Sequence, residues 1–143
     1  MLQKIPQFDL SSSTLKKIAP TDFRLLWVND WYDGPLEAVV ELAGEACLMV
    51  LHSEDPASEK SPYRWLILRL TPSQRADEEK WHALFVEHVG DHWCFHDTTT
   101  YPHPKKPNPN PQPEKFYEPY RARAPLDVST NEVLGWADEM PSR

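Results

Sequence analysis

The sequence predicts an α+β domain: an antiparallel sheet of about five strands with one long helix on a face, a proline-rich crossing segment and a short C-terminal helix. Three observations support this class. Several segments alternate apolar and polar residues, as in strands that bury one face. The segment after Thr71 instead spaces its apolar residues as a helix does. Eight of the 15 prolines lie between positions 98 and 125, where apolar periodicity is lost.

The length of 143 residues fits a single domain with one core. We expect an N-terminal arm at 1–20 that lies over the core and contains at most a short helix over 14–18. The sheet-and-helix core is expected at 21–97. The proline-rich segment at 98–125 and a C-terminal helix at 126–143 complete the predicted organisation.

The first three strands are predicted to form a meander. Phe23 to Val28 and Leu36 to Leu42 both alternate apolar with less apolar residues, as strands with one buried face do. Ala43-Gly44-Glu45 is typical of a three-residue hairpin loop with a bulge. Ala46 to Leu51 is apolar at every position, which predicts a strand covered on both faces in the middle of the sheet.

The long helix follows a fourth strand, predicted over Tyr63 to Leu70. Thr71, Pro72 and Gln74 form a capping box with proline at the first helical position. An apolar stripe is expected to face the sheet, and Gly90 is expected to end the helix. The stripe consists of Trp81, Leu84, Phe85, His88 and Val89.

Two further elements are predicted near the C-terminal end. Asp91 to Asp97 alternates aromatic with polar residues, which favours a fifth strand. Ser129-Thr130-Asn131-Glu132 has the pattern of a second capping box, so a short helix is expected to begin there.

The net charge of −7 disfavours nucleic-acid binding, because an acidic chain repels the phosphate backbone. On the basis of this charge we expect a basic partner. Residues 98–125 contain five Lys or Arg against two acids, a charge of +3, which leaves −10 for the remainder. We expect this basic segment to lie along the acidic body or to reach an acidic partner.

Cys47 and Cys94 each lie in an apolar, strand-like run, which suits buried thiols in a reducing compartment. A single disulfide between them stays open as an alternative. No apolar run approaches the ~18 residues of a membrane helix, and the N-terminus lacks the apolar centre of a signal peptide. These features predict a cytoplasmic protein without a membrane segment.

The turn Asp30-Trp31-Tyr32-Asp33-Gly34-Pro35 places two large aromatics between two carboxylates ahead of the hairpin. Two interpretations are open. Asp30, Trp31, Tyr32 and Asp33 could form a recognition tip that binds a protein partner. Alternatively, the aromatic rings could fold back and fill the end of the core.

The stretch D-W-Y-D-G-P-L at Asp30 to Leu36 resembles a loop of small uncharacterised bacterial or phage proteins, in which a similar aromatic-acidic turn precedes a hairpin. The resemblance covers about 25 residues. It implies an intracellular protein of bacterial or phage origin, and it implies no activity.

A metal site is the second candidate. His88, His92, Cys94 and His96 form H-x3-H-x-C-x-H, and three of these side chains would share one face of the predicted fifth strand. Strand residues two positions apart lie roughly 6.5 to 7 Å apart, so a zinc ion would need help from rotamers or from a neighbouring ligand. The spacing matches no standard zinc finger, and we expect no cofactor.

The proline-rich segment offers a P-x-x-P match at Pro104 to Pro107, which a partner with an aromatic groove could bind. The alternative is a tether that carries the last element back across the domain, held to its surface by Phe116, Tyr117 and Tyr120.

The sequence contains no glycine-rich phosphate loop, no G-x-S-x-G elbow and no H-E-x-x-H motif. We therefore expect non-catalytic binding of a macromolecular partner, such as an acidic inhibitor or immunity-type protein directed at a basic protein surface. A metal-dependent enzyme built on His92, Cys94 and His96 is the alternative. The pattern does not indicate an oligomeric state.

Overall fold

A computed structural model describes residues 4–7, 10, 14–31, 35–58, 61–90 and 111–141. These residues contain one antiparallel sheet with the strand order β1-β2-β3-β4-β5 and two helices. The elements in chain order are β1 (Phe23–Trp31), β2 (Pro35–Leu42), β3 (Glu45–Glu54), β4 (Tyr63–Arg69), α1 (Pro72–His88), α2 (Pro113–Ala122) and β5 (Val133–Ala137). The predicted α+β class, with five antiparallel strands, one long helix and one short helix, is confirmed.

The middle of the sheet is apolar on both faces, as the continuous apolar run in β3 predicts. Cys47 and Met49 belong to one buried cluster, whereas Leu48 and Val50 belong to the cluster on the opposite face. Each of these four side chains is at most 1% exposed. β3 therefore forms the centre of a core that has two apolar layers.

The β2–β3 hairpin loop has two residues, so the prediction of a three-residue loop with a bulge is wrong. Leu42 pairs directly with Glu45, and only Ala43 and Gly44 lie between them. Both loop residues have positive φ, 52° for Ala43 and 80° for Gly44, as a type I′ turn requires. The twist of this turn matches that of the flanking strands, and Glu45 is therefore free to extend β3.

Helix α1 begins and ends where the sequence predicts. The Thr71 hydroxyl accepts a hydrogen bond from the Gln74 amide at 3.2 Å, and the Gln74 side chain accepts one from the Thr71 amide at 3.0 Å. Val89 and Gly90 both donate to the Phe85 carbonyl, and Gly90 has a φ of 100°. Gly90 therefore provides the predicted stop.

The short helix lies at Pro113–Ala122, within the predicted proline-rich segment, and the prediction of a helix after Ser129 is wrong. Val133–Ala137 instead form β5, which pairs with β4. The cap-like residues are used in other contacts: Ser129 bonds the Asp127 carboxylate within a turn, and Asn131 donates to the Arg69 carbonyl at 2.8 Å. The exposed edge of β4 gains a strand partner as a result.

The predicted fifth strand at Asp91 to Asp97 lies outside the described residues. Residues 14–18 are extended and not helical. Ile18 donates to the Trp136 carbonyl at 2.8 Å, and Trp136 donates to the Lys16 carbonyl at 3.0 Å, so this part of the arm pairs with the outer edge of β5. Ile18 is buried in the core. No described helix is long and apolar enough to cross a membrane.

Candidate functional site

The predicted recognition loop lies at the end of the β1–β2 hairpin. Asp30 is exposed on β1, directly across from Glu37 of β2, and Trp31 ends the strand in register with Pro35. Tyr32 and Asp33 lie outside the described residues. The described part of the loop thus places one exposed carboxylate, that of Asp30, beside the site described below.

A bulge in β1 directs a polar side chain towards α1. Val28 pairs with Ala38 and Asp30 pairs with Glu37, so Asn29 between them has no partner across the ladder. Its amide nitrogen Nδ2 donates to Glu78 Oε2 at 2.8 Å and to Glu37 Oε1 at 3.3 Å. One side-chain amide therefore bridges two carboxyl groups that belong to a strand and a helix.

Both of these carboxyl groups are buried: Glu37 is 6% exposed and Glu78 is 2% exposed. Burial raises the pKa of Glu37 from 4.5 to about 7, with a further contribution from the negative charge of Glu78, while the hydrogen bond from Asn29 and the charge of Arg123 oppose it. Burial also raises the pKa of Glu78, against the opposing charge of Arg123. The environment therefore disfavours two negative charges here.

Arg123, just after α2, is the cation that approaches this pair. Its Nη1 lies 3.7 Å from Glu78 Oε1, which is an ion pair without a hydrogen bond. Its Nη2 donates to the Tyr120 hydroxyl at 2.8 Å, and the guanidinium lies 3.9 Å from the Tyr120 ring centre and 5.7 Å from that of Trp81. Among the described residues, Glu78 Oε1 and Arg123 Nε have no hydrogen-bond partner.

Aromatic rings of the two helices surround this polar group. Phe116 of α2 meets Phe85 and Trp81 of α1 edge to face, with ring centres 5.2 and 6.2 Å apart. Trp27 of β1 stacks on His82 of α1 at 4.4 Å. These contacts place α1 and α2 against the sheet at its β1 edge.

A cavity of about 30 Å³ lies between β1 and the two helices, with room for about one water molecule. Asn29 and Tyr120 are among its lining residues, together with Phe85 and Phe116. The cavity beside the buried carboxyl groups is therefore large enough for a water molecule and too small for an organic substrate.

The metal candidates are not brought together in the described part of the chain. His88 is the last residue of α1, whereas His92, Cys94 and His96 lie outside the described residues. Within the described ranges, no group of three His, Cys, Asp or Glu could hold a metal ion. Cys47 is a buried free thiol whose pKa is raised by burial.

Sequence reasoning missed Glu37, Glu78 and Arg123. The alternation of β2 places Glu37 on the less apolar face, and a glutamate such as Glu78 in a helix is usually exposed. One signal could have found Glu78: it lies seven residues before Phe85, and therefore on the same side of α1 two turns away. Arg123 has no comparable signal, since its position depends on how α2 packs.

Phe116, Tyr117 and Tyr120 all lie on α2, where the sequence predicts that they hold this segment to the domain. Phe116 is buried and Tyr120 is partly buried, and Tyr120 also meets Trp81 edge to face at 5.5 Å. The P-x-x-P match at 104–107 lies outside the described residues. Compared with protein-family models, curated proteins and solved structures, the chain matches none of them.

Proposed function

We propose that the protein is a non-catalytic binding protein that contacts a basic protein partner through the end of the β1–β2 hairpin, at Asp30, Trp31, Tyr32 and Asp33. The observation that supports this function is the exposure of the Asp30 carboxylate. It is exposed near the end of an edge strand and forms no ion pair with any described residue. No described residue therefore neutralises the carboxylate, and we assign that role to a cation of the partner.

Several other surface charges on the sheet are paired within the chain. Arg24 pairs with Glu41 at 3.0 Å, and Arg69 pairs with both Glu45 and Glu132. Asp30 has no such partner among the described residues, and the residue across the ladder from it is the buried Glu37. A lysine or arginine side chain of a partner would complement this end of the sheet better than a neutral surface would.

The net charge of −7 extends this argument to the whole chain, since a basic protein would be attracted from a distance at low ionic strength. An inhibitor or immunity-type protein that covers a basic surface in the cytoplasm is the form of this function that we favour.

The test is affinity capture from cells of the native host, with the wild-type chain and with Asp30→Lys. We expect the wild type to retain a basic protein at about 50 mM salt and to release it at several hundred mM, because exposed charges are screened within a Debye length. Asp30→Lys should lose this protein. Tyr32→Ala should retain less of it than the wild type does.

Asp22→Lys is the matched control, since Asp22 is also exposed and precedes the opposite end of β1. It carries the same change in net charge and should capture the partner as the wild type does. The proposal is wrong if both lysine variants lose the partner equally, or if Asp30→Lys binds it undiminished. Thermal unfolding of each variant shows that the fold is intact.

A further inference from the structure

The buried polar group of Asn29, Glu37, Glu78 and Arg123 contains more acidic than basic side chains. Glu37 and Glu78 contribute two carboxyl groups, whereas among the described residues Arg123 is the cation that acts on both of them. Arg123 approaches Glu78 only to 3.7 Å, and the bridging Asn29 amide is neutral. With both carboxyl groups ionised, the buried group would carry one uncompensated negative charge.

In the described part of the chain, these two carboxyl groups have no ion pair besides that of Glu78 with Arg123. Across the ladder from Glu37, β3 presents the apolar Val50. Along α1, Arg75 and His82 lie one turn on either side of Glu78. Within the described ranges, three acidic groups also act on the pair: Asp30 of β1, Asp77 of α1 and Tyr120 of α2.

An isolated buried charge is costly, and a protein avoids it by keeping one of two close carboxyl groups neutral. We infer that Glu37 and Glu78 form a single proton-binding site that is occupied near neutral pH, and that loss of its proton weakens the packing of α1 against β1 and β2. The mechanism is direct, because the two carboxyl groups belong to the two elements that would be pushed apart. This inference does not depend on the proposed partner.

The direction of the pH effect follows from the raised pKa of Glu37. Below about 4.5 the carboxyl is protonated in both the folded and the unfolded chain, so it contributes the full stabilisation there. Between about 4.5 and about 7 the unfolded chain loses this proton while the folded chain retains it. Stability therefore falls as pH rises through this window and becomes level above it.

Denaturant unfolding between pH 5 and pH 8 tests the inference. For the wild type, the Glu37 contribution should lower the ratio of folded to unfolded chain by roughly 100-fold across this range. Glu37→Gln resembles the protonated carboxyl and should remove that part of the decline, so the variant should be more stable than the wild type at pH 8. Glu41→Gln makes the same change further along β2, at an exposed carboxylate paired with Arg24, and should retain the decline.

Carbon NMR of glutamate side-chain carboxyl groups in the wild type gives a second measurement, which applies even if Glu37→Gln does not fold. One carboxyl signal should titrate near neutral pH, well apart from the surface glutamates. The inference is overturned if every glutamate titrates below about pH 5.5, or if Glu37→Gln loses stability with pH in parallel with the wild type.

Discussion

The Phe85 side chain packs between the two helices, next to β1. It is 8% exposed, lines the small cavity together with Val28 of β1, and meets the Phe116 ring of α2 edge to face. The ring thus joins α1 to α2 next to β1. Truncating it would leave a void next to an existing cavity, which the packed helices could fill only in part.

We therefore predict that Phe85→Ala lowers the free energy of unfolding by about 3 to 5 kcal/mol. Val86→Ala is the control on the next residue of the same helix: Val86 is 46% exposed, and its truncation should change stability by less than about 0.5 kcal/mol. Urea midpoints of the two variants measure the difference. Equal, small losses would mean that α1 does not use Phe85 for packing.

The burial of Phe85 was predictable from its helical spacing, but the packing of Trp81 and Phe85 against Phe116 of α2 was not, and neither were the acids of the site. Glutamate is usually a surface residue, so the residue types of Glu37 and Glu78 suggest exposure. Nothing in the sequence indicates that the Asn29 amide contacts both of them. That contact depends on the β1 bulge, which shifts the register by one residue. A bulge of this kind has no signature in β1, where apolar residues continue on both sides of it.

Among the elements, the β2–β3 turn contains a local conflict. Ala43 has a φ of 52°, a left-handed conformation that costs an ordinary L-residue about 1 kcal/mol, whereas Gly44 adopts its φ of 80° without that cost. Asn-Gly is the preferred pair for this turn type. The hairpin therefore forms in spite of its first loop residue, through the ladder that β2 and β3 make.

Ala43→Asn should accordingly raise the free energy of unfolding by about 0.5 to 1 kcal/mol, because asparagine tolerates the left-handed region better. Ala83→Asn is the control and should change stability in the opposite direction. Ala83 is exposed in the middle of α1, where asparagine has a lower helix propensity than alanine. This change should lower the free energy of unfolding by about 0.5 kcal/mol. Thermal melts of both variants decide the matter. A loss of stability at position 43 would contradict the turn assignment.

Element type was predictable where the pattern and the tertiary contacts agree, as in β3 and α1. It was not predictable at residues 129–137, where Ser129 and Asn131 look like caps but bond Asp127 and Arg69. Pairing of residues 133–137 with the open edge of β4 is more favourable than the short helix that the local pattern indicates. The hairpin loop was predicted one residue too long because Glu45 fits a loop and a strand end equally well.

At the scale of the whole molecule, the described part of the basic segment, which contains α2, is held by more than its charge. Residues 98–125 carry +3 against −10 elsewhere, yet α2 within this segment packs through Phe116 onto Phe85 and Trp81. The ion pair of Arg123 with Glu78 is buried, so salt screens it less than it screens a surface pair. Aromatic packing and this buried ion pair both join α2 to α1, and neither depends strongly on salt.

Limited trypsin digestion measures how firmly α2 is held at different salt concentrations. Lys115 and Arg121 are exposed on α2, and we expect their cleavage rates to be the same at about 50 mM and about 500 mM salt, after correction with a small peptide substrate. Phe116→Ala should raise both rates at either salt concentration. Faster cleavage of the wild-type chain at high salt would mean that charge, and not ring packing, holds α2 in place.

The position of β5 between β4 and residues 16–18 affects the order in which the chain folds during synthesis. The bridge between Lys17 and Trp136 joins two distant parts of the sequence, and such contacts form slowly because closing a long loop costs entropy. Until residues 133–137 have left the ribosome, β4 has an open edge and Lys16 and Ile18 lack the backbone partners that Trp136 provides. Nascent chains that have not reached this point therefore present an unpaired strand to chaperones and to one another.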